Sequence, residues 1–270
     1  MRVIVFFSIF IFWRFLAYGA NVDTVSTPSV AMGKNIKAVI VTPDSYKDST
    51  KFPVVYLLHG YSGNYSDWIN NAPEITNLAD RYQFIVVCPD GGYSSWYWDN
   101  TSDKNFQYET YVARELTEWV DSNYRTIRDK NSRAITGLSM GGHGALYLAF
   151  RHQNIFGAAG SMSGGVDIRP FPDNWDISKR IGTYADHPER WEAHTVINML
   201  HLLKPGGLAL MIDCGVNDFF FTVNEDLHQK LLEKGVGHDY IVRPGKHDWN
   251  YWKNSVSYQL LFMHRFFTNK

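Results

Sequence analysis

The sequence predicts an α/β fold in which helices flank a mostly parallel central sheet. Runs of apolar and β-branched residues alternate with segments of helical period along the 270 residues, and parallel strands need crossover connections of this kind. Most of these runs are continuously apolar, which is typical of strands covered on both faces. Because 45% of the residues are hydrophobic and no repeat or Gly-, Ser- or Pro-rich linker divides the chain, we expect one domain over residues 21–270.

The predicted strands begin with an N-terminal hairpin. Ala38 to Thr42 follows a Gly33-Lys34 turn, as the second strand of a hairpin would. Short apolar runs predict six further strands, at residues 54–58, 84–88, 134–138, 157–162, 208–214 and 240–243.

Helices are predicted between these strands. Tyr108, Val112, Leu116 and Trp119 recur at steps of four and three and form one apolar stripe, while polar side chains such as Glu109 are expected to face away from it. Further helices are predicted after the strand at 134–138, around residues 227–232 before Gly235, and at about 249–267.

Residues 165–207 break the alternation of strands and helices. Prolines and tryptophans are scattered there among short helical pieces. Long irregular segments in compact domains are usually either functional lids or disordered, and the aromatic content favours an ordered segment. We therefore expect a lid-like insertion over the ends of the strands.

The first 20 residues carry the pattern of a secretory signal peptide. Arg2 precedes an apolar run over residues 3–13, and small residues come before the polar Asn21, although Arg14 interrupts the apolar segment. The run is shorter than the roughly 20 residues that a membrane-spanning helix needs, so we expect no stable membrane span. Residues 1–20 are expected to be removed, leaving a secreted or periplasmic protein.

Charge and histidine spacing exclude several classes of function. The net charge is −1 and no cluster of lysine or arginine is present, whereas nucleic-acid-binding proteins usually carry a basic excess. None of the ten histidines stands in a metal-ligand spacing such as H-E-x-x-H. We therefore expect no nucleic-acid partner, no metal and no cofactor.

A G-x-S-x-G motif follows the strand predicted at residues 134–138. It comprises Gly137-Leu138-Ser139-Met140-Gly141 and precedes a helical run. A serine hydroxyl becomes an effective nucleophile when a sharp turn exposes it to a base and to the incoming carbonyl group. The motif alone is not specific, but its position between a strand and a helix predicts that Ser139 is a nucleophile.

The base and the acid should follow Ser139 in the chain order Ser, acid, His. His247 is predicted on the loop between the last strand and the final helix, and loops after parallel strands emerge at one sheet edge. The rival His143 lies one helical turn past the serine and is expected to be a packed or surface residue. Asp218 is the preferred acid, because Asp213 falls within the strand at 208–214 and should accept hydrogen bonds from loop amides there.

Two backbone amides are candidates for an oxyanion hole, which needs fixed N–H donors. The amide of Met140 stands at the start of a helix, where the dipole favours negative charge. The amide of Tyr61 follows Gly60, which lets the loop after residues 54–58 turn sharply. The alternative for that loop is an ordinary glycine turn.

Four motifs in this order resemble the esterase D-like family of α/β-hydrolases. They are Leu58-His59-Gly60-Tyr61-Ser62-Gly63 with Trp68, Gly137-Leu138-Ser139-Met140-Gly141-Gly142, Asp213-Cys214-Gly215 with Asp218-Phe219, and Pro244-Gly245 with His247 and Trp249. The family includes S-formylglutathione hydrolases, feruloyl and acetyl xylan esterases of carbohydrate esterase family 1, and mycolyltransferases. The resemblance covers nearly all the chain from about Val22 and implies an α/β-hydrolase sheet, a Ser139, Asp218 and His247 triad, and oxyanion amides from Tyr61 and Met140.

The usual strand order of that fold bears on the two cysteines, Cys88 and Cys214. Several strands would separate them, which is too far for a disulfide. We therefore expect two buried free thiols.

Aromatic residues on the predicted loops are candidates for binding substrate, because rings can stack on sugar faces or on an aromatic acyl group. The candidates are Trp68, Trp98, Phe219 and Trp249. The alternative is that these rings pack under the long loops.

The sequence predicts a serine esterase that removes acyl groups, acetyl or feruloyl, from plant carbohydrate. The alternatives are an acyltransferase to a sugar hydroxyl, a thioesterase similar to S-formylglutathione hydrolase, and a binding protein that keeps the fold without the chemistry. The substrate is expected to be a small-molecule or carbohydrate-linked ester, and the oligomeric state is left open.

Overall fold

The computed structural model describes residues 19–46 and 49–269. The predicted signal peptide, apart from its last two residues, lies outside these ranges. Within the described ranges, the chain forms one sheet of eight strands in the order β1-β2-β4-β3-β5-β6-β7-β8. The strands are β1 Asn21–Ser29, β2 Lys34–Thr42, β3 Val54–Leu58, β4 Ile85–Pro89, β5 Arg133–Gly137, β6 Ala158–Met162, β7 Ala209–Gly215 and β8 Asp239–Arg243.

The sheet is mostly parallel, as the sequence predicts. β1 and β2 form the expected antiparallel hairpin, β2 pairs antiparallel with β4, and all the remaining pairs are parallel. Every residue of β3, β4, β5 and β6 is buried. The continuous apolar runs are thus explained by helices that cover both faces of these strands.

Helices pack against both faces of the sheet because alternate residues of each strand point to opposite sides. In β3, Val54, Tyr56 and Leu58 belong to the core on one face of the sheet, whereas Val55 and Leu57 belong to the core on the other face. The helices are α1 Asp67–Asn71, α2 Ile75–Tyr82, α3 Tyr108–Thr110, α4 Thr117–Asn123, α5 Met140–Arg151, α6 Ile177–Ile181, α7 Pro188–His194, α8 Phe221–Glu233 and α9 Trp249–Thr268.

The helical segment over residues 108–123 differs from its prediction in two respects. A π-helical turn, Tyr111–Leu116, separates α3 from α4. Glu109, which was expected to face away from the core, is buried and accepts hydrogen bonds from Arg151 Nε at 2.7 Å and Tyr147 Oη at 3.2 Å. A buried carboxylate needs such partners, and helical periodicity cannot reveal them because both lie on α5.

The insertion over residues 165–207 is ordered, as expected. It contains α6, α7 and two 3-10 turns, Val196–Asn198 and Leu200–Leu202. Trp191 is fully buried, and its indole N–H donates to the carbonyl of Gly182 at 2.9 Å. The hydrogen bond lies within the insertion, and the buried Trp191 ring anchors the insertion to the core on the α5 side of the sheet.

The strand order places three strands, β3, β5 and β6, between Cys88 on β4 and Cys214 on β7. Both thiols are buried and unpaired within the described residues, and burial raises the pKa of each. Four strand intervals of about 4.8 Å give about 19 Å, beyond the Cα separation of any disulfide.

Thiol counting on the unreduced protein is therefore expected to find two reactive groups in denaturant and almost none in the folded state, because the reactive thiolate is disfavoured by burial. A mass two hydrogens lighter, with no reactive thiol in denaturant, would contradict both the free thiols and the strand order.

Candidate active site

Three of the predicted site residues meet at the carboxyl edge of the parallel strands. His247 Nε2 lies 2.9 Å from Ser139 Oγ, and His247 Nδ1 lies 2.9 Å from Asp218 Oδ2. Ser139 follows β5, Asp218 follows β7 and His247 follows β8. The structure thus brings together a hydroxyl, an imidazole and a carboxylate in one hydrogen-bonded sequence.

Ser139 occupies a sharp turn between β5 and α5, with φ 53° and ψ −117°. The glycines on either side of it are needed for close backbone packing. A Cβ on Gly141 would lie 2.5 Å from the carbonyl oxygen of His59, and one on Gly137 would lie 2.6 Å from the carbonyl carbon of Gly141. The turn therefore rests directly on the end of β3, a reason for the glycines that the motif alone did not reveal.

Backbone hydrogen bonds continue beyond the strand ends and join the loops that carry the three side chains. Ser139 N donates to Met162 O at 2.9 Å, and Ser163 N donates to Asp213 O at 2.7 Å. Further along the edge, Asn217 N donates to Gly245 O at 2.9 Å. We call this series the edge ladder. It fixes the spacing between the serine, the acid loop and the histidine loop.

The Asp218 carboxylate has a second fixed contact besides His247. Its Oδ1 accepts from the backbone N–H of Phe220 at 2.8 Å. Asp218 is 6% exposed, so this bond and the imidazole contact hold the carboxylate in one orientation.

The two predicted oxyanion donors flank Ser139. Met140 is the first residue of α5, and helix geometry gives its N–H no acceptor inside the helix. Tyr61 lines the same cavity as Ser139. Met140 thus directly follows the serine and Tyr61 belongs to the wall of the same cavity, while the role of both amides stays a prediction.

His59 supports the loop that carries Tyr61, and sequence reasoning had assigned it no role. Its Nε2 accepts from the backbone N–H of Gly91 at 2.7 Å, so the proton must be on Nδ1, which donates to the carbonyl of Gly60 at 2.7 Å. Tyr97 Oη also donates to the carbonyl of His59 at 3.0 Å. Burial lowers the pKa of His59, and the neutral ring holds this loop against the loop after β4.

Residues 29–263 match the model of a family described as "Putative esterase". The chain belongs to this esterase family. The α/β-hydrolase fold and the resemblance to esterases predicted from the sequence are confirmed, and the enzyme is a carboxylic ester hydrolase.

Three relatives of the esterase illustrate the range of the family. An acetyl esterase of Caldicellulosiruptor saccharolyticus is 28% identical over 228 residues, covering 78% of this chain and 82% of the relative. The diacylglycerol acyltransferase/mycolyltransferase Ag85A of Mycobacterium tuberculosis is 33% identical over 271 residues, covering 87% and 78% respectively. A solved ferulic acid esterase superposes with a TM-score of 0.80 at 27% identity, covering 93% of this chain and 99% of its own. The chain also matches two longer mycobacterial esterases, and this match spans only 31% of the length of each.

Ser139 lines a cavity of about 270 Å³. Two of the four aromatic residues predicted to bind substrate, Phe219 and Trp249, line it. Trp175 from the insertion and Trp252 from α9 also line it, and the sequence analysis had missed both. The complete lining consists of Gly60, Tyr61, Asp67, Leu138, Ser139, Trp175, Phe219, His247, Trp249 and Trp252.

The other two aromatic candidates, Trp68 and Trp98, do not line this cavity and pack inside the protein instead, which was the alternative stated for these rings. Both are at most 2% exposed. The indole N–H of Trp68 donates to the carbonyl of Leu58 at 3.0 Å, and that of Trp98 donates to His143 Nε2 at 2.9 Å. Each ring therefore satisfies its polar atom inside the protein, and Trp68 supports Trp249 by an edge-on contact at 5.1 Å.

Asp213 is separate from the hydrogen-bonded sequence of Ser139, His247 and Asp218. Its buried carboxylate accepts from the side chains of Arg243, Tyr251 and Ser255. The predicted partners, loop amides, are thus replaced by side chains from β8 and α9. Burial raises the pKa of Asp213, while its three donors stabilise the carboxylate.

His143 is a core residue, as one of the two expectations had it. The ring is fully buried, accepts from Trp98 Nε1 and donates from Nδ1 to the carbonyl of Gly165 at 2.8 Å. Burial lowers its pKa to about 3, so it is neutral at physiological pH.

This neutral state predicts a loss of stability in acid. Below about pH 6.5 the unfolded chain protonates His143, but the folded protein does so only near pH 3, so stability falls as pH decreases through this window. The slope is about 1.4 kcal/mol per pH unit for one such group. From pH 7 to pH 5, the free energy of unfolding of the wild type should therefore fall by about 2 kcal/mol more than that of His143→Gln.

The comparison is made by urea unfolding of both proteins at the two pH values. Any pH-independent destabilisation caused by the substitution cancels, because the free energy of unfolding of each protein at pH 5 is compared with its own value at pH 7. Equal losses in the two proteins would contradict a neutral buried His143.

Two absences hold for the described ranges, residues 19–46 and 49–269. No helix there is both long and apolar enough to cross a bilayer. No group of three or more His, Cys, Asp or Glu side chains is placed there to bind a metal ion.

Proposed function

We propose that the protein hydrolyses carboxylic esters through an acyl-enzyme formed on Ser139. The single observation that carries this proposal is the hydrogen-bonded sequence from Ser139 Oγ through His247 to Asp218. Membership of the esterase family supports the ester as the reacting group.

In the first half of the reaction, Ser139 Oγ attacks the carbonyl carbon while His247 Nε2 takes the hydroxyl proton. The negative charge that develops on the carbonyl oxygen is stabilised by the amides of Met140 and Tyr61. The tetrahedral intermediate then collapses: the bond to the alcohol breaks, and His247 gives its proton to the departing oxygen. Ser139 is left as an acyl ester.

In the second half, a water molecule takes the place of the alcohol. His247 removes a proton from the water as its oxygen attacks the acyl carbon, and then returns this proton to Ser139 Oγ as the acid leaves. Throughout, Asp218 accepts from Nδ1 of His247, which keeps Nε2 free to accept the serine proton and stabilises the imidazolium form.

We infer that the substrate is an acetyl or feruloyl ester of plant carbohydrate. The cavity, about 270 Å³, is slightly smaller than typical ligand pockets, which measure about 300–1,000 Å³, so short or planar acyl groups fit better than long chains. Trp175 and Phe219 stack at 5.6 Å and Trp249 and Trp252 meet at 5.6 Å, giving two aromatic walls. The names of the acetyl esterase and ferulic acid esterase relatives support the same acyl groups.

An acyltransferase is the second candidate function, because the Ag85A relative is named as one. In that case a sugar hydroxyl would replace water in the second half of the reaction. Product analysis with an added sugar acceptor separates the two: free acid alone indicates hydrolysis, and an acylated acceptor indicates transfer.

The proposed function is tested by measuring kcat/KM for acetylated xylan oligosaccharides, methyl ferulate and 4-nitrophenyl esters of increasing chain length. We expect turnover of the acetyl and feruloyl esters and a decline with longer acyl chains. Failure of a fluorophosphonate to label the folded enzyme would contradict a reactive serine altogether.

We also propose that the protein is exported and loses residues 1–20. The order of Arg2, the apolar run and the small residues before Asn21 supports this proposal. N-terminal sequencing of the protein recovered outside the cytoplasm of its host tests it, and a retained Met1 would contradict it.

A further inference from the structure

The cavity beside Ser139 contains one carboxylate that the proposed chemistry does not use. Asp67, at the first position of α1, lines this cavity together with Trp249 and Tyr61. It is the only Asp or Glu among the lining residues. Asp67 is partly exposed in the free protein, and a ligand that removes its carboxylate from water must supply hydrogen-bond donors in return.

The contacts of Asp67 within the protein leave acceptor capacity unused. Oδ1 accepts from Asn64 Nδ2 at 2.9 Å. Among the described residues, no lysine or arginine forms an ion pair with Asp67. A carboxylate can accept about four hydrogen bonds, so most of its acceptor sites remain available to a ligand in the cavity.

The loop that precedes α1 is shaped mainly by Asn64, whose Oδ1 accepts from both the N–H of Ser66 at 2.9 Å and its hydroxyl at 2.8 Å. Asp67 adds one contact to it, from Asn64 Nδ2, which a neutral amide oxygen could also accept. Space for the carboxylate comes from Gly63, because a Cβ there would lie 2.4 Å from Asp67 Oδ2. The loop therefore accommodates the acid without depending on its charge.

We propose that Asp67 determines substrate specificity by accepting a hydrogen bond from a hydroxyl group of the ester. The negative charge of Asp67 also disfavours substrates that would place an anionic group beside it. The inference deepens the proposed function and rests on it. A hydroxyl donor could belong to the acyl group, as a phenol, or to the alcohol, as a sugar hydroxyl, and the chemistry of recognition is the same for both.

Two pairs of esters distinguish these sources of the hydroxyl. Methyl ferulate is compared with methyl 3,4-dimethoxycinnamate, which lacks the phenolic proton, and a monoacetylated methyl xyloside with its fully O-methylated counterpart. The measured quantity is the ratio of kcat/KM within each pair. For Asp67→Asn, we expect this ratio to fall roughly tenfold in one pair, mainly through KM, because a neutral amide oxygen replaces a charged acceptor.

Glu74→Gln is the matched control, since Glu74 immediately precedes α2 and lies outside the cavity lining. Glu74→Gln removes the same charge from a position outside the cavity lining and should retain the wild-type ratios of kcat/KM within each pair. Unchanged ratios in both pairs for Asp67→Asn would overturn the inference. If the wild type hydrolyses no ester and a fluorophosphonate does not label it, the proposed function itself is wrong, and the inference falls with it.

Discussion

Replacing Ser139 with alanine is expected to lower kcat/KM for every ester substrate by roughly 10⁴-fold or more and to prevent fluorophosphonate labelling. The substitution removes the only atom of Ser139 that contacts His247, Oγ at 2.9 Å. It leaves the backbone turn and the buried volume almost unchanged. The folded structure should therefore persist, which circular dichroism and the thermal midpoint can verify.

His247→Ala and the double variant provide the control for this prediction. Nucleophile and base act as one unit, so the loss in the double variant should be little larger than in either single variant. Retention of even a tenth of wild-type activity in Ser139→Ala would mean that another group attacks the ester.

The second large effect is expected at Asp218, and Asp213 is its matched comparison. Asp218→Asn should lower turnover on the order of 10² to 10⁴-fold, because an amide at this place no longer holds His247 in the tautomer that accepts the serine proton. The structure should remain intact, since the side chain keeps nearly the same shape.

Asp213→Asn should have the opposite profile. The substitution leaves the guanidinium of Arg243 without its charged partner in a largely buried setting, and removing one member of a buried ion pair costs about 3–5 kcal/mol. The thermal midpoint should fall more than the turnover of the folded enzyme. Measurement of kcat and the thermal midpoint for both variants tests the assignment, and a collapse of turnover in Asp213→Asn with near-normal Asp218→Asn would reverse it.

The sheet and the meeting of Ser139, Asp218 and His247 were predictable because they depend on local patterns. Continuous apolar runs mark buried strands whatever their partners are. The loops after parallel strands all emerge at one edge, so three residues that follow β5, β7 and β8 were expected near each other before any coordinate was known. The boundaries of these strands differ from their predictions by at most about one residue.

What the sequence could not provide is the choice of partner for each side chain. Trp98 stands on a loop, as a substrate-binding ring might, but its N–H is used by His143, 45 residues away. Glu109 similarly finds Arg151 across 42 residues. Such pairings depend on how helices lie on the sheet, and single-sequence periodicity carries no information about them.

The lining of the cavity also includes residues that the sequence did not indicate. Trp175 and Asp67 contribute to it from segments with no catalytic motif. Trp175 lies in the irregular insertion, where its backbone carbonyl accepts from Trp96 Nε1 at 3.1 Å and its ring stacks on Phe219.

Because of the edge ladder, the active site does not unfold or persist separately from the sheet. Every link from Ser139 N to Gly245 O is a backbone hydrogen bond that prolongs a strand pairing, so the reacting groups belong to the same cooperative unit as the sheet. Local fraying of the insertion or of α1 can alter which esters enter while the chemistry persists. Separation of the central strands should abolish turnover, and amide exchange at the strand ends would then report on the loss of the spacing between serine, acid and histidine.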